Sequence, residues 1–395
     1  MIATEKITTT DVKRFNKNRI FRLIHYANRI SRQEIAEVLQ LSLPTVNQNL
    51  KILTDEKLIT FVGSFESTGG RKAQIITVDG MSKCAVSINI TATSLKAALV
   101  DLNGKIVDLV EERIPFSDNE VYEKNVAALV RRMIMGNHVE DENVLGVGIT
   151  IPGVFNQDND VVISSPPLRI KNYRVERITK YIPYPCYVMN DARANAYAEY
   201  WFDRRPENAE DINLNIFHPS NRDLYQNGKI YVMLNTGVGG SYIDREKIQT
   251  GTHNRYGEFG HMTIHPGGNK CFCGKKGCFE AYVSARVLSS DLGISLKEFF
   301  EQIENVAQYQ SIFDEYLDNL TTGINNLYTM FDGDVVIGGP VAEYLKKYQD
   351  RIKNMLIEKY SFDTDGSYFS FARCMPEQSD LGAALMFLGE FIRSI

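Results

Sequence analysis

Residues 257–282 read GEFGHMTIHPGGNKCFCGKKGCFEAY. Three of the chain's six cysteines fall within Cys271–Cys278, behind His261 and His265 and between Glu258 and Glu280. Three thiolates and one imidazole complete a tetrahedral Zn2+ shell, and a shell closed by four protein ligands is structural rather than catalytic. Cys271, Cys273 and Cys278 supply the sulfurs, while His261 and His265 compete for the fourth place. Gly267, Gly268, Gly274 and Gly277 let the backbone fold around an ion.

Outside this block the bulk properties are those of a soluble globular protein. A chain of 395 residues is long enough for two to three domains. It holds no long uncharged apolar run, and its N-terminus lacks the apolar core of a signal peptide. A cytoplasmic protein without a membrane partner is therefore expected, with cysteines kept as thiols or metal ligands. Charge is unevenly spread: residues 1–80 hold twelve Lys and Arg against eight Asp and Glu, in a chain whose formal charge is −5. A polyanion, if one binds, is expected at this basic head.

The head carries its own pattern. Ser31 and Glu34 form a capping-box signal, and Ile35 and Leu39 follow at helical spacing. The run QLSLP breaks that helix, with Ser42 placed to cap a second one and Pro44 tolerated in its first turn. In the second helix Val46, Leu50 and Leu53 share one face, which leaves Gln48 and Lys51 opposite and Thr45 and Asn47 on the flanks. This is the helix-turn-helix pattern, whose outer face can read base edges and phosphates. Two β-rich runs, 58–62 and 73–78, then flank a tip containing Gly70 and Arg71, a wing suited to DNA phosphates or a minor groove. Residues 1–80 are expected to bind operator DNA through Thr45, Asn47, Gln48, Lys51, Gly70 and Arg71.

From Lys83 onward strand-like and helical segments alternate. The run CAVSINITATSLKAALVDLNGKIVDLVEE reads as strands joined by a turn at Asn103-Gly104, and KIYVMLNTGVGGSYIDREKIQTG repeats that layout. VLGVGITIPGVF is a buried strand running into a Pro-Gly turn, and PCYVMNDARANAYAEYWF is a strand that opens a helix at Asn190-Asp191. Two related halves predict a duplicated α/β body with a cleft between lobes.

In order, GVGITIPG, MNDARANA, NTGVGGSYI, GEFGH, CFCGKKGCFEAYVS, VVIGGP and LGAALMF resemble the ROK family of repressors, open reading frames and kinases, over nearly the whole chain. The winged helix points to its repressor branch. The resemblance implies a two-lobed, duplicated actin-like or sugar-kinase-like (RNase H-like) body behind the winged helix-turn-helix. The first lobe is expected at 81–194, completed by a C-terminal helix at about 380–395, and the second at 195–379 with the zinc motif. The family spacing favours His261 over His265 as the fourth zinc ligand. It also implies that Asn190, Asp191, Glu258, His261 and Glu280 contact a sugar, and Gly153, after Pro152 in the strand-end turn, is expected to let the backbone approach the same ligand. Fixed donors and acceptors suit a polyol, because each buried polar group rejects ligands that lack its partner.

The same resemblance divides regulators from kinases. In ROK kinases the residue matching Asp191 is the general base, yet phosphoryl transfer depends chiefly on how the phosphates are held. The family's first phosphate loop is Asp-x-Gly-Gly-Thr; here the run is NITAT, with Asn89 for the aspartate and Thr91 and Ala92 for the glycines. The second, NTGVGGS, keeps Gly237, Gly239 and Gly240 but has Asn235 where kinases usually carry glycine. The expectation is a sugar-responsive regulator of the repressor branch, with no catalytic residue and Asp191 as a vestigial base. It would act as a homodimer or dimer of dimers on a pseudo-palindromic operator. The alternative is an ATP-dependent sugar kinase with a DNA-binding head. Pro167 stands where many family members carry an Asn near the sugar, so the effector's identity stays open.

Overall fold

The computed structural model describes residues 8–65, 72–203, 213–218, 228–362, 364–374 and 380–395. The head begins with a helix that the sequence reading did not include, α1 (Thr9–Ala27), capped by reciprocal Thr8–Asp11 hydrogen bonds. α2 (Arg32–Leu39) starts with the Ser31–Glu34 capping box and α3 (Leu43–Asp55) with Ser42. Between them Gln40 takes the left-handed conformation at φ 52°, which lets the Leu41 N–H reach back to the Ala36 carbonyl. Ile20, Phe21, Leu23 and Ile24 of α1 are buried with Ile35, Leu39, Val46, Leu50 and Leu53. Each such side chain contributes about 1.5–3 kcal/mol. The wing pairs β1 (Ile59–Ser64) with β2 (Gln74–Val78), antiparallel, Ile59 opposite Val78. Gly70 and Arg71 at its tip lie outside the described residues.

In the body β3 (Cys84–Ile90), β4 (Leu95–Asp101) and β5 (Ile106–Glu112) form an antiparallel meander. The β4–β5 turn uses Gly104 at φ +76°. α4 (Glu120–Gly136) leads to β6 (Val144–Thr150), which is parallel to β3. A small antiparallel sheet follows, made of β7 (Val154–Phe155), β8 (Val161–Ser165) and β9 (Ile170–Arg174). After the short α5 (Glu176–Thr179), β10 (Cys186–Met189) joins parallel to β6 and runs into α6 (Asp191–Asp203).

The second half repeats this path. β11 (Lys229–Leu234), β12 (Val238–Asp244) and β13 (Lys247–Gln249) form the meander. The cysteine block and α7 (Glu280–Val283), α8 (Leu296–Gln302) and α9 (Ala307–Phe331) come next. β14 (Asp334–Gly338) is parallel to β11. α10 (Pro340–Leu345) and α11 (Gln349–Lys359) then lead to β15 (Phe369–Phe371), parallel to β14. The strand orders are β5-β4-β3-β6-β10 and β13-β12-β11-β14-β15. Order and pairing sense match strand for strand, so the duplication is visible in topology.

The last helix, α12 (Gly382–Ser394), returns to the first sheet and packs on β3, β6 and α6. With α4 against its other face, β3 is buried almost throughout, and its two polar side chains, Ser87 and Asn89, are hydrogen-bonded to Asp380. Leu385, Leu388 and Ile392 of α12 share one core with Ile20 and Ile24 of α1. Head and body are therefore joined by packed side chains. Among the described residues no helix is long and apolar enough to cross a membrane.

Candidate functional site

The cysteine block folds back on itself through bridges pairing Thr263 with Cys278 and Lys270 with Lys276. The result gathers His261, Cys271, Cys273 and Cys278, whose ligand atoms all lie within 4.8 Å of one another. Cys273 Sγ is 3.7 Å from Cys278 Sγ, and Cys271 Sγ is 3.8 Å from His261 Nδ1. A tetrahedral ion with metal–sulfur bonds of about 2.3 Å separates its sulfurs by about 3.8 Å, so the four residues fit a metal ion. His265, the competing histidine, is engaged elsewhere: its Nε2 meets Asn319 Oδ1 on α9 and its ring packs on Tyr282.

His261 turns its other ring nitrogen outward, Nε2 lying 4.0 Å from Glu258 Oε2. Glu280 starts α7 immediately after the block; its Oε2 accepts from the Val238 N–H at 2.9 Å and its Oε1 lies 3.4 Å from Cys271 Sγ. Across the cleft Asn190 Nδ2 donates to the Gly153 carbonyl at 2.8 Å, and its Oδ1 caps α6 by accepting from Ala192 and Arg193 N–H. One Nδ2 hydrogen is thus spent on Gly153 and the second is the donor left for a ligand. Asp191 accepts from the Ala192 N–H. Burial, reinforced by the fields of Asp380 and Glu258, pushes its carboxyl up to about 6.

The structure thus strings the predicted residues into two runs, Gly153–Asn190–Asp191 and Glu258–His261–Glu280, with Asp191 in the field of Glu258. Sequence reasoning missed the residues that join them. Arg193 donates to the Asn254 side chain and to the carbonyls of Asn254 and Tyr256, and Asn254 and Arg255 donate to the carbonyls of Asn156 and Phe155. The available signal was a lone arginine in the first turn of an alanine-rich helix.

On the phosphate side the loops are occupied by their own side chains. Asn89 Nδ2 donates to Asp380 Oδ1 at 2.6 Å, Lys96 Nζ pairs with Asp380 Oδ2 at 3.4 Å, and Ser87 donates to the Asp380 carbonyl. Thr91 Oγ1 accepts from Thr93 and Ser94 N–H and the Thr91 N–H donates to the Ser94 carbonyl, so this turn is tied back on itself. In NTGVGGS the N–H groups of Asn235, Thr236 and Val238 are taken by the Gly237 carbonyl, Asn235 Oδ1 and Glu280. Two of the retained glycines have packing reasons, a Cβ on Gly239 lying 2.6 Å from Ala192 Cβ and one on Gly240 2.3 Å from the Phe259 ring, and so has Gly338 of VVIGGP, whose Cβ would lie 2.0 Å from the Tyr231 hydroxyl.

On the head Asn47, Gln48 and Lys51 project from α3 to solvent, and Thr45 is half-buried with its hydroxyl 2.9 Å from that of Ser42. Asn49, on the inner face, is buried and donates to the Thr45 carbonyl. At the junction with the body Arg22 of α1 pairs with Glu246, which also lies 4.0 Å from Arg393 of α12. The His25 ring meets Trp201, near the C-terminal end of α6, edge-on at 5.6 Å.

A winged helix-turn-helix joined to two lobes of this topology defines a DNA-binding protein built on a sugar-kinase-like body. The ROK family profile matches residues 85–218 and 219–390, and a winged helix-turn-helix DNA-binding profile matches residues 16–60. The chain belongs to the ROK family. It is 26% identical over 335 residues to the xylose repressor of Bacillus subtilis (strain 168), covering 83% of this chain and 82% of that one. It is 27% identical over 286 residues to the DNA-binding transcriptional dual regulator NagC of Escherichia coli (strain K12), covering 70% and 66%. A ROK family transcriptional regulator, described as a homologue of the E. coli MLC protein, superposes with a TM-score of 0.73 at 19% identity over 97% of both chains. A ROK family glucokinase from Streptomyces griseus, solved with glucose and AMPPNP, gives 0.59 at 23% identity over 77% of this chain and 98% of that one. At these identities the structural likeness is one of fold.

Proposed function

We propose that the protein is a sugar-responsive transcriptional regulator of the repressor type, and that a sugar in the cleft between the lobes changes its hold on a pseudo-palindromic operator. The observation that carries this reading is the asymmetry of the cleft. Carboxylates and an oriented imidazole lie on the side proposed for the sugar, while on the phosphate side the amides of Thr91, Thr93, Asn235, Thr236 and Val238 are bonded within the protein. The relatives named for xylose repression and dual regulation support it. Sugar contacts are assigned to Gly153, Asn190, Asp191, Glu258, His261 and Glu280, and DNA contacts to Thr45, Asn47, Gln48, Lys51, Gly70 and Arg71.

His261, Cys271, Cys273 and Cys278 would hold Zn2+ as a structural ion, whose charge fixes the imidazole and the loop between the cysteines. With Nδ1 committed to the metal, Nε2 carries the hydrogen and can donate to a sugar hydroxyl beside Glu258. The protein's own residues supply the route to DNA. α6 begins at the sugar side with Asp191 and reaches the head with Trp201, so a sugar that prefers one lobe arrangement biases the α1 contacts at Arg22 and His25. Two heads on a symmetric pair of chains then lose or gain the half-site spacing.

The test is to select operator DNA from a random pool with the full chain. Its release is then titrated with free and phosphorylated pentoses, hexoses and amino sugars. One sugar class should shift operator affinity; failure of the chain to enrich any symmetric sequence would sink the reading. A second reading, an ATP-dependent sugar kinase, is favoured only by Asp191, whose carboxyl near 6 suits a general base. ADP release over the same panel, abolished by Asp191→Asn, would establish it instead.

A further inference from the structure

The loop 250–258 carries Glu258 into the cleft, and one buried guanidinium organises it. Arg193 lies two residues past Asp191 on α6 and is 7% exposed. Its Nη1 donates to Asn254 Oδ1 at 2.5 Å, and its Nη2 to the carbonyls of Asn254 at 3.1 Å and Tyr256 at 3.4 Å. Asn254 is itself buried and sits at φ 55°, so the loop turns sharply where the guanidinium grips it. From that turn Asn254 Nδ2 donates to the Asn156 carbonyl at 2.8 Å, and Arg255 Nη1 to the Phe155 carbonyl at 3.2 Å. Both acceptors follow the Pro152-Gly153 turn, and the Gly153 carbonyl is bonded back to Asn190 at the start of α6. The contacts form a closed circuit around the cleft: α6, the 250–258 loop, β7, and α6 again.

We propose that Arg193 is a positioning residue of the effector cleft, holding the loop that carries Glu258 onto the first lobe and so fixing the gap a sugar enters. The proposal rests on the sugar reading of that cleft. A planar guanidinium suits the task because its rigid fork serves several carbonyl acceptors at once, which a lysine ammonium on a flexible stem does not reproduce. All three acceptors that Arg193 contacts are uncharged. A buried charge of this kind is costly unless some carboxylate offsets it, and Glu258 is the one whose field acts on the guanidinium. Arg193 therefore holds Glu258 in two ways, through the backbone of its loop and through charge. A sugar bound to Glu258 would draw on the same circuit that spans the lobes.

The test uses the full metal-loaded chain. Amide hydrogen exchange of 250–258 is followed without ligand, and release of the selected operator is titrated with the sugar panel above. In Arg193→Gln, and independently in Asn254→Ala, exchange across the loop should quicken about tenfold or more. The sugar midpoint should rise about tenfold while operator affinity without sugar stays within about twofold. Asn254→Asp keeps an acceptor for the guanidinium but loses the donor to the Asn156 carbonyl. Its loop protection should therefore fall less than in Asn254→Ala without reaching that of the unaltered chain, and Arg193→Lys should protect no better than Arg193→Gln. Unchanged exchange in both Arg193→Gln and Asn254→Ala overturns the clamp, and so does faster exchange with an unmoved sugar midpoint. If no sugar releases the wild-type operator, the effector reading fails by itself, and the exchange data still decide whether Arg193 holds the loop.

Discussion

The two sides of the cleft are built from the same duplicated sheet, and they have been treated in opposite ways. On the side proposed for the sugar, Glu258, His261 and Glu280 flank a folded cysteine block, and Asp191 keeps an acidic group whose carboxyl lies near 6. On the phosphate side Asp380 is satisfied by Asn89 and Lys96, and Thr91 accepts the amides of its own turn. On the first side the Glu258 carboxylate and His261 Nε2 lie 4.0 Å apart and, among the described residues, make no hydrogen bond, whereas on the second a ligand must break hydrogen bonds already made inside the protein. Leaving buried donors and acceptors without partners costs about 1–3 kcal/mol each, so several such exchanges are enough to disfavour a nucleotide. On the proposed reading, the difference teaches that a few side chains suffice to separate sugar recognition from phosphoryl transfer within one cleft.

Breaking the cysteine block should give the largest effect. Cys273→Ser is expected to lose the bound metal, lower stability by about 4 kcal/mol or more, and abolish the sugar response. Metal analysis, thermal unfolding and operator release check this together, and a full sugar response from a metal-free variant would remove the ion from the account. Glu258→Gln preserves shape while removing charge from the sugar side. It should weaken sugar binding about 10–100-fold with metal content unchanged, as measured by calorimetry. The head offers a control that leaves both sides of the cleft intact. Gln48→Ala or Lys51→Ala should each weaken operator binding by about 1–3 kcal/mol without changing sugar affinity.

The smallest effect concerns the proton on Asp191. Its carboxyl is raised from 3.8 to about 6, so the folded chain holds that proton more tightly than the unfolded chain does. The resulting stabilisation is present at low pH and is lost as pH rises from 3.8 through about 6. Sugar binding runs the other way, because an ionised acceptor is available only above that range. Affinity should fall about tenfold between roughly pH 7 and 5, and Asp191→Asn should flatten the profile.

Local signals made much of this legible in the sequence. The Ser31–Glu34 cap, the Val46–Leu50–Leu53 face and the spacing of Cys271, Cys273 and Cys278 each lie within a few residues and report one element. The repeated strand runs disclosed the duplication for the same reason. Helix α1 carries the same capping signal at Thr8 and Asp11 as α2 does at Ser31 and Glu34. What stayed hidden depends on partners far apart in the chain. Asn89 reads as a lost carboxylate until Asp380 is seen beside it, and Arg193 reads as a polar residue in an alanine-rich helix until Asn254 folds onto it. The packing demands on Gly239 and Gly240 were equally invisible, because a glycine that avoids a neighbour looks like one that admits a phosphate. The choice between His261 and His265 became physical only once Asn319 was found against the second.

The central claim is that this cleft receives a sugar and excludes a nucleotide. It is tested most directly by calorimetric titration of the metal-loaded chain, first with the sugar panel and then with MgATP, with ADP followed in the same samples. Saturable binding of one sugar class, no heat from MgATP and no ADP is the predicted result. Saturable MgATP binding with sugar-dependent ADP release would contradict it.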